Sequence, residues 1–392
     1  MTVIFAPESD VDLYSTESLQ HPYPDYARLR QAGPVVRLSR PNVWALPRYE
    51  QVRAALLDHE TFSSGSGVGF DQELNERISG SLIASDPPRH DALRAVVARM
   101  LMPRALRDMA PAVTEAAEVL IDRLARRGEF DAVTDLAQDF PVNVVADLIG
   151  LPEEGRDQLL AFASATFDSM GPSGERTLAA LEKSAAMIEY ITTTATPDRL
   201  REGGFGARIW EAVAAGEIDE QTGVLLMAAF VTAGMDTTAH SLSAALRLFG
   251  EFPQQWDLLR SDPSKIPAAY LEVLRIATPV RMFSRVTTRN WECEGVTIPA
   301  GDRVAVMYAS ANRDERKWAE PERFDITRNP VDHISFGFGI HACVGQGLAK
   351  LEAHAILTAL LARVRRFEIG EPEYIVNNSL LGLAKLPCRI IQ

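Results

Sequence analysis

The most specific segment of the sequence spans residues 336–345 and reads Phe336-Gly337-Phe338-Gly339-Ile340-His341-Ala342-Cys343-Val344-Gly345. Its glycines allow a tight turn and a close approach of the backbone to a flat ligand, which residues with a Cβ atom permit less readily. A long helix is predicted to begin next to Cys343, so backbone N–H groups and the helix N-terminus would stabilise a thiolate there. A lone cysteine before a helix is usually a small buried hydrophobe, so the prediction of a reactive thiolate depends on the residues around it.

The pattern Phe-x-x-Gly-x-x-x-Cys-x-Gly at these positions resembles the haem-binding loop of the cytochromes P450. The resemblance extends over nearly the whole chain and implies the cytochrome P450 fold, which is mainly α with a minor β region. It implies that haem b is the cofactor, that the thiolate of Cys343 is the proximal ligand of the iron, and that Phe336 lies in the cofactor site. The implied activity is that of a monooxygenase that inserts one oxygen atom from O2 into its substrate.

Two charged residues three positions apart, Glu272 and Arg275, lie in a segment predicted to be helical over residues 266–277. This spacing places the carboxylate and the guanidinium on one face of the helix. Such a pair is usually solvated, but residues 272–275 resemble the Glu-x-x-Arg motif of the cytochromes P450. The resemblance implies a structural ion-pair network under the haem, with Arg328 as its third member and Arg323 as the alternative.

Four basic side chains are expected to bind the haem propionates. His90 and Arg94 are four residues apart and would share one face of a helix that follows the turn at residues 86–88. By themselves these two residues would be read as a surface pair. The family resemblance implies that both bind the haem propionates, joined by Arg285 from a strand and His341 from the cysteine loop. Charge-assisted hydrogen bonds from several cations to buried carboxylates give the physical reason for this set.

An acid and hydroxyls interrupt the apolar helix predicted at residues 219–249, in the segment Ala233-Gly234-Met235-Asp236-Thr237-Thr238. Glycine in a helix costs about 1 kcal/mol relative to alanine, so a compensating role is expected. A local kink with an exposed aspartate is the alternative. In the family that the chain resembles, this segment crosses the distal face of the haem, and the glycine leaves room for dioxygen. The resemblance implies that Asp236 and Thr237 are catalytic residues that deliver protons during oxygen activation.

Further segments resemble the bacterial branch of the family that oxidises para-substituted benzoates, notably by O-demethylation of methoxybenzoate. They are Ser310-Ala311-Asn312-Arg313-Asp314, Phe324-Asp325-Ile326-Thr327-Arg328 and Cys343-Val344-Gly345-Gln346. In that branch phenylalanines hold a planar ring, and the implied lining of the pocket here is Phe167, Met170, Ala233, Val280, Phe283 and Leu380. Met170 stands where the branch tends to carry another phenylalanine, which would loosen the fit around the ring.

The carboxylate of such a substrate needs an anchor, and Arg77 and Ser81 are the predicted one. The match with the branch is poorest at this anchor, and on the long helix Ala228 and Ala229 stand where the branch carries polar residues. A weaker carboxylate clamp would admit neutral methoxyphenols such as guaiacols. The sequence therefore predicts a small aromatic substrate and leaves open whether it is a benzoate or a neutral methoxyphenol.

Composition and charge argue against several other classes of protein. A formal net charge of -13 disfavours a nucleic-acid-binding surface. The cysteines, Cys293, Cys343 and Cys388, are too few and too scattered for a disulfide framework, and their spacing does not suggest zinc. The N-terminal segment has no basic stretch followed by a long apolar run. We therefore expect neither a signal peptide nor a membrane anchor, and a cytoplasmic location.

One cytochrome P450 domain over residues 1–392 is the expected organisation, because no repeat, low-complexity linker or charge block marks a boundary. Strands are predicted near residues 35–46 and 285–308, and helices over most of the remainder. The longest helices are predicted at residues 219–249, 266–277 and 344–365.

Electrons are expected to come from separate proteins, because the 392 residues contain no Gly-rich nucleotide motif after a strand. A ferredoxin and a ferredoxin reductase that draws on NAD(P)H are the usual bacterial arrangement. Arg99, Arg104 and Arg107 are predicted to offer positive charge to an acidic partner on the Cys343 side. A haem-binding sensor without turnover is the rival interpretation, although it leaves Asp236 and Thr237 unexplained. A hydrolase is disfavoured, because no Ser-His-Asp or metal-ligand spacing stands out.

Overall fold

The structure is a computed structural model that describes residues 6–392. Within these residues the α-helices are α1 (Thr16–Gln20), α2 (Tyr23–Ala32), α3 (Tyr49–Leu57), α4 (Gln72–Arg77), α5 (Arg89–Met100), α6 (Pro103–Arg127), α7 (Asp139–Ile149), α8 (Leu159–Asp168), α9 (Glu175–Thr193), α10 (Phe205–Ala214), α11 (Glu220–Glu251), α12 (Pro253–Ser261), α13 (Ile266–Ala277), α14 (Tyr308–Ala311) and α15 (Gln346–Arg363). A π-helical segment lies at Ala132–Gln138, and short 3-10 turns lie at Arg156–Gln158, Pro263–Lys265 and Gly339–His341. The fold is mainly α, as the sequence predicts.

The strands of the described residues are β1 (Glu8–Ser9), β2 (Val36–Leu38), β3 (Val43–Leu46), β4 (Phe62–Ser63), β5 (Glu129–Asp131), β6 (Phe283–Thr287), β7 (Trp291–Cys293), β8 (Val296–Ile298), β9 (Arg303–Val306), β10 (Arg366–Ile369), β11 (Glu373–Tyr374), β12 (Leu383–Lys385) and β13 (Pro387–Ile391). The largest sheet has the order β1-β2-β3-β9-β6-β4, and smaller sheets have the orders β10-β13-β5, β11-β12 and β7-β8. Both predicted β regions contribute to the largest sheet, where β6 and β9 pair antiparallel with Arg285 opposite Val304. The assignment of the whole chain to one domain stays a prediction.

Helix α11 is the long helix on which several layers of the fold pack. It begins after Asp219, whose side chain accepts a hydrogen bond from the backbone N–H of Thr222 and so caps the helix. It contacts α7, α8, α9, α10 and α13. By length and composition α11 could cross a membrane, but 61% of its most apolar window is buried inside the fold. This burial is typical of the core helix of a globular fold.

The other two predicted long helices surround the cysteine loop, residues 336–345. Helix α13 has the predicted bounds and ends two residues before Pro279, which disfavours helical backbone in the residue before it. Helix α15 begins at Gln346, two residues later than predicted, because Val344 and Gly345 complete the cysteine loop. Helices α6, α11, α13 and α15 share one hydrophobic core, which gives this loop a rigid support.

Candidate active site

A cavity of about 680 Å³ lies between α11, the cysteine loop and helices α4, α8 and α9. Its volume is within the range of about 300–1,000 Å³ that is typical of small-molecule and cofactor sites. Most of its lining is aliphatic or aromatic, and the sulfur-bearing residue Cys343 and the hydroxyl-bearing residue Thr237 both line it. The cysteine motif and the polar segment of α11, which lie far apart in the sequence, therefore face one cavity.

The backbone of the cysteine loop fixes where Cys343 lies. The N–H of Cys343 donates to the carbonyl oxygen of Phe336 at 2.7 Å, which closes the loop. Gly339 has a φ of +67°, and a Cβ there would collide with the carbonyl oxygen of Leu56, so glycine is required on both counts. The loop can thus pack against the C-terminal end of α3 while its cysteine lines the cavity.

Opposing effects act on the thiol of Cys343. Burial raises the pKa of the thiol above its ordinary value, and backbone hydrogen bonds from Gly345 and Gln346 and the charge of Arg94 only partly offset this rise. These donors stand at the start of α15, where the helix dipole also favours negative charge. The site is therefore built to hold a thiolate once a cation such as iron offsets the cost of burial.

The four predicted propionate ligands lie together. The rings of His90 and His341 are 4.5 Å apart, and the Nε2 atom of each is buried with no hydrogen-bond partner. Arg94 donates to the carbonyl oxygen of Ala342 at 2.7 Å, and Arg285 is buried at 3% exposure. Burial, with the charge of Arg285 as the next cause, lowers the pKa of His341 to about 3. Burying these two Nε2 atoms without partners is costly, and a bound carboxylate that accepts hydrogen bonds from them would relieve that cost.

These residues fit a haem with its iron and its two carboxylates. Cys343 would hold the iron, and His90, Arg94, Arg285 and His341 would bind the propionates. Phe336 lines the same cavity, and the ammonium group of Lys350 lies 5.3 Å from the centroid of its ring. The residues that the family resemblance assigns to the cofactor thus occupy one region of the structure.

The predicted ion-pair network lies in the core. Arg275 donates from Nε and Nη2 to the two carboxylate oxygens of Glu272 at 2.7 and 2.8 Å, and both side chains are fully buried. The Nε atom of Arg328 lies 3.3 Å from the same carboxylate. The alternative third member, Arg323, contributes only its backbone carbonyl to Arg275, and its guanidinium pairs with Glu320 instead. The structure therefore groups Arg328 with the Glu-x-x-Arg pair.

The polar segment of α11 differs from the alternative of an exposed aspartate, because its acid is buried. Asp236 is buried at 2% exposure, whereas Thr237 lines the cavity and its hydroxyl donates to the carbonyl oxygen of Ala233 at 2.8 Å. A Cβ at Gly234 would lie 3.2 Å from the side chain of Val145 on α7. Tight packing between the two helices therefore accounts for the glycine in addition to the space for dioxygen inferred from the family.

An apolar cluster forms the predicted substrate end of the cavity. Its buried members are Leu74, Phe167, Met170, Leu181 and Leu380, and Val280 and Phe283 pack against them. Phe167, Met170, Ala233, Val280 and Phe283 line the cavity. Leu380 does not, in contrast to the prediction. It forms an isolated β-bridge with Val280 and is completely buried in the cluster.

Arg77, one of the two residues predicted to anchor a substrate carboxylate, already makes hydrogen bonds within the protein. The guanidinium of Arg77 donates to the carboxylate of Glu73 at 2.5 Å and to the carbonyl oxygen of Leu181 at 3.3 Å. The hydroxyl of Ser81 is buried without a hydrogen-bond partner, and both Arg77 and Ser81 line the cavity. The positive charge available to a substrate is therefore reduced by Glu73, while the serine hydroxyl is free to bind.

Sequence reasoning missed a buried acid at the cavity. Both carboxylate oxygens of Glu352 on α15 lack a hydrogen-bond partner, and Glu352 lines the cavity. Burial raises the pKa of Glu352 well above its ordinary value. A signal existed in the sequence, since Glu352 shares a helix face with Leu348 and Ile356, where an apolar residue is expected.

Relatives of known classification decide the family. Cytochrome p450 CYP199A2 of Rhodopseudomonas palustris is 39% identical over 389 residues, which cover 98% of this chain and 94% of the relative. The chain belongs to the cytochrome P450 family. A family model for cytochrome P450 matches residues 266–390 of this P450. Cytochrome P450 130 of Mycobacterium tuberculosis is 32% identical, with coverage of 96% and 95%.

Solved structures agree with this assignment. The Mycobacterium marinum cytochrome P450 CYP268A2 in complex with pseudoionone matches with a TM-score of 0.89 at 29% identity, over 98% of this chain and all of that one. The predicted fold, the haem with its iron and the monooxygenase activity of this P450 are therefore confirmed. The roles of the individual side chains stay predictions.

Proposed function

We propose that this P450 monooxygenase oxidises a small aromatic substrate, by O-demethylation or hydroxylation of a para-substituted benzoate. The observation that carries the proposal is that Phe167 and Phe283 line the same cavity as Cys343 and Thr237. Flat aromatic side chains favour a flat ligand, and a cavity of about 680 Å³, part of which the haem would occupy, favours a small one. The resemblance of residues 310–314 and 324–328 to the benzoate-oxidising branch supports the same substrate class.

A specific observation favours a second candidate, the O-demethylation of a neutral methoxyphenol such as a guaiacol. The ion pair between Arg77 and Glu73 reduces the charge that would hold a carboxylate. The unpartnered hydroxyl of Ser81 suits a phenol as well as an acid, because it can donate or accept. Ala228 and Ala229 line the cavity without adding a polar group.

The chain's own residues define the proposed mechanism. The haem, when bound, supplies the iron at which O2 is activated. Phe167 and Phe283 orient the aromatic ring, and so decide which carbon faces the cofactor. The apolar lining excludes water, so protons enter in a controlled way through Asp236 and the hydroxyl of Thr237. Oxidation of a methoxy carbon gives a hemiacetal, which releases formaldehyde.

Electrons are proposed to come from NAD(P)H through a ferredoxin reductase and a ferredoxin, in the cytoplasm. Arg104 and Arg107 are exposed on α6, and Leu106 between them packs against Gly347 just beyond the cysteine loop. This position would bring an acidic partner to the Cys343 side. Arg99 is less suited than expected, because its guanidinium pairs with Glu217 at 2.5 Å.

Titration of the purified holoprotein with para-methoxybenzoate and with guaiacol, followed by the spin state of the iron, tests the substrate class. If the benzoate is the substrate, Arg77→Ala weakens its binding by about ten-fold, the size of a charge-assisted hydrogen bond. The matched variant Glu73→Gln should strengthen it, because it frees the guanidinium. The second candidate would be favoured if guaiacol bound more tightly than para-methoxybenzoate and if neither Arg77→Ala nor Glu73→Gln altered its affinity.

A second experiment tests the proposed catalytic pair. Thr237→Ala should raise the hydrogen peroxide formed per NAD(P)H consumed and lower the product formed, because proton delivery loses its hydroxyl. The assay uses a reconstituted ferredoxin and reductase and measures both yields. Unchanged coupling between NAD(P)H consumption and product would remove Thr237 from the mechanism.

A further inference from the structure

A buried acid–base pair lies inside α11, next to the proposed proton-delivery residue. The Nε2 atom of His240 is 3.1 Å from Oδ1 of Asp236, and the side chains are only 5% and 3% exposed. Among the ion pairs of residues 6–392, only this one and Glu272–Arg275 have both side chains buried to this extent. The spacing of four residues places the two side chains on the same face of the helix.

The side chains of Asp236 and His240 are close, but their hydrogen-bonding capacity is not fully used. Oδ2 of Asp236 and Nε2 of His240 are both buried without an aligned hydrogen bond. An isolated carboxylate at this depth would be costly, and the nearby imidazole is the group that can offset the cost. One carboxylate oxygen is therefore held near His240, while the other is left free to bond elsewhere.

The imidazole is the fixed member of the pair. A Cβ at Gly382 would overlap the ring of His240, so the ring packs directly against the backbone just before β12. Asp236, in contrast, precedes Thr237, which lines the cavity. The carboxylate thus stands between a rigid ring on one side and a hydroxyl at the cavity on the other.

We propose that His240 is a positioning residue for proton delivery, and that it holds Asp236 in the orientation from which the carboxyl serves Thr237. This inference rests on the proposed function. Without a donor at position 240, the carboxylate of Asp236 would rotate away or draw in water, and protons would reach the cavity without control.

Two variants of similar size separate positioning from packing. His240→Gln keeps an N–H donor near the place of Nε2, whereas His240→Leu keeps the volume and removes the donor. Each is assayed with ferredoxin, reductase and whichever of para-methoxybenzoate and guaiacol gives the larger spin-state shift. We expect His240→Leu to lower the product formed per NAD(P)H by about three-fold or more, and His240→Gln to restore most of it. Equal coupling in the two variants would overturn the proposal.

A readout that does not depend on turnover accompanies this assay. In a double-mutant cycle of urea unfolding, the shift in midpoint caused by His240→Leu should be smaller when Asp236 is already asparagine. Additive shifts would overturn the contact on which the proposal stands. If the wild-type protein consumed no NAD(P)H with either substrate, the proposed function would fail, and the unfolding cycle would still report on the pair.

Discussion

Replacing Glu272 by glutamine tests the buried ion-pair network quantitatively. The change keeps the shape of the side chain but removes its charge, and it turns one acceptor of Arg275 into an NH2 group that faces a guanidinium. Removing one partner of a buried pair costs about 3–5 kcal/mol. Arg275 also donates to the carbonyl oxygens of Asn312 and Pro321 at 3.0 and 2.8 Å, and these bonds remain. We therefore expect a loss near the lower limit, about 3 kcal/mol, from a total stability of about 5–15 kcal/mol.

The assay is urea unfolding at neutral pH, with Arg328→Gln as the matched control. Arg328 is 18% exposed, and besides its 3.3 Å contact with Glu272 it donates to the carbonyl oxygens of Ala319 and Glu320 at 2.9 and 3.3 Å. Because these bonds are partly exposed, its loss should cost about 1–2 kcal/mol, less than the loss of Glu272. The two variants together measure how much of the network's contribution to the free energy of unfolding comes from its buried pair and how much from the partly exposed Arg328. A Glu272→Gln protein within about 1 kcal/mol of the wild type would refute this reasoning.

Two further predictions concern pH and stability. Burial lowers the pKa of His333 from 6.5 to about 3, so as the pH falls the histidine of the unfolded chain is protonated before that of the folded protein. The free energy of unfolding should therefore fall by about 1.4 kcal/mol between about pH 7.5 and about pH 5.5. Urea unfolding measures this loss, which the His333→Asn variant should lack. Burial raises the pKa of Glu352, so the unfolded chain releases a proton that the fold retains, and stability falls as pH rises above the ordinary value of 4.5. The Glu352→Gln variant should therefore be more stable than the wild type by about 1 kcal/mol or more at neutral pH, and by less near pH 5. An equal gain in the free energy of unfolding at both pH values would contradict a raised pKa of Glu352 in the folded protein.

Local sequence patterns were enough to predict the elements that carry the cofactor site. The apolar periodicity of α11 and the proline after α13 predict both helices almost to the residue, because those signals are short-range. The glycines of the cysteine loop predict its turns for the same reason. The family resemblance then connects His90, Arg94 and Arg285 with His341, which lie far apart in the sequence.

Contacts between distant segments could not be predicted in this way. The packing of His240 against Gly382 and of Gly234 against Val145 depends on how α11 meets its neighbours, which no local pattern records. The family resemblance implied Leu380 as pocket lining, but its pairing with Val280 places it behind the cavity wall. The spacing between Glu73 and Arg77 was visible, yet only the structure shows that the pair engages.

The ligand of the iron is the central claim, and the spectrum of the reduced, carbon-monoxide-bound protein tests it most directly. Wild-type protein should show the red-shifted Soret band that thiolate ligation produces, and Cys343→Ser should lose it while the basic cluster still retains some haem. A wild-type spectrum without that band, or a Cys343→Ser protein that keeps it, would contradict the account.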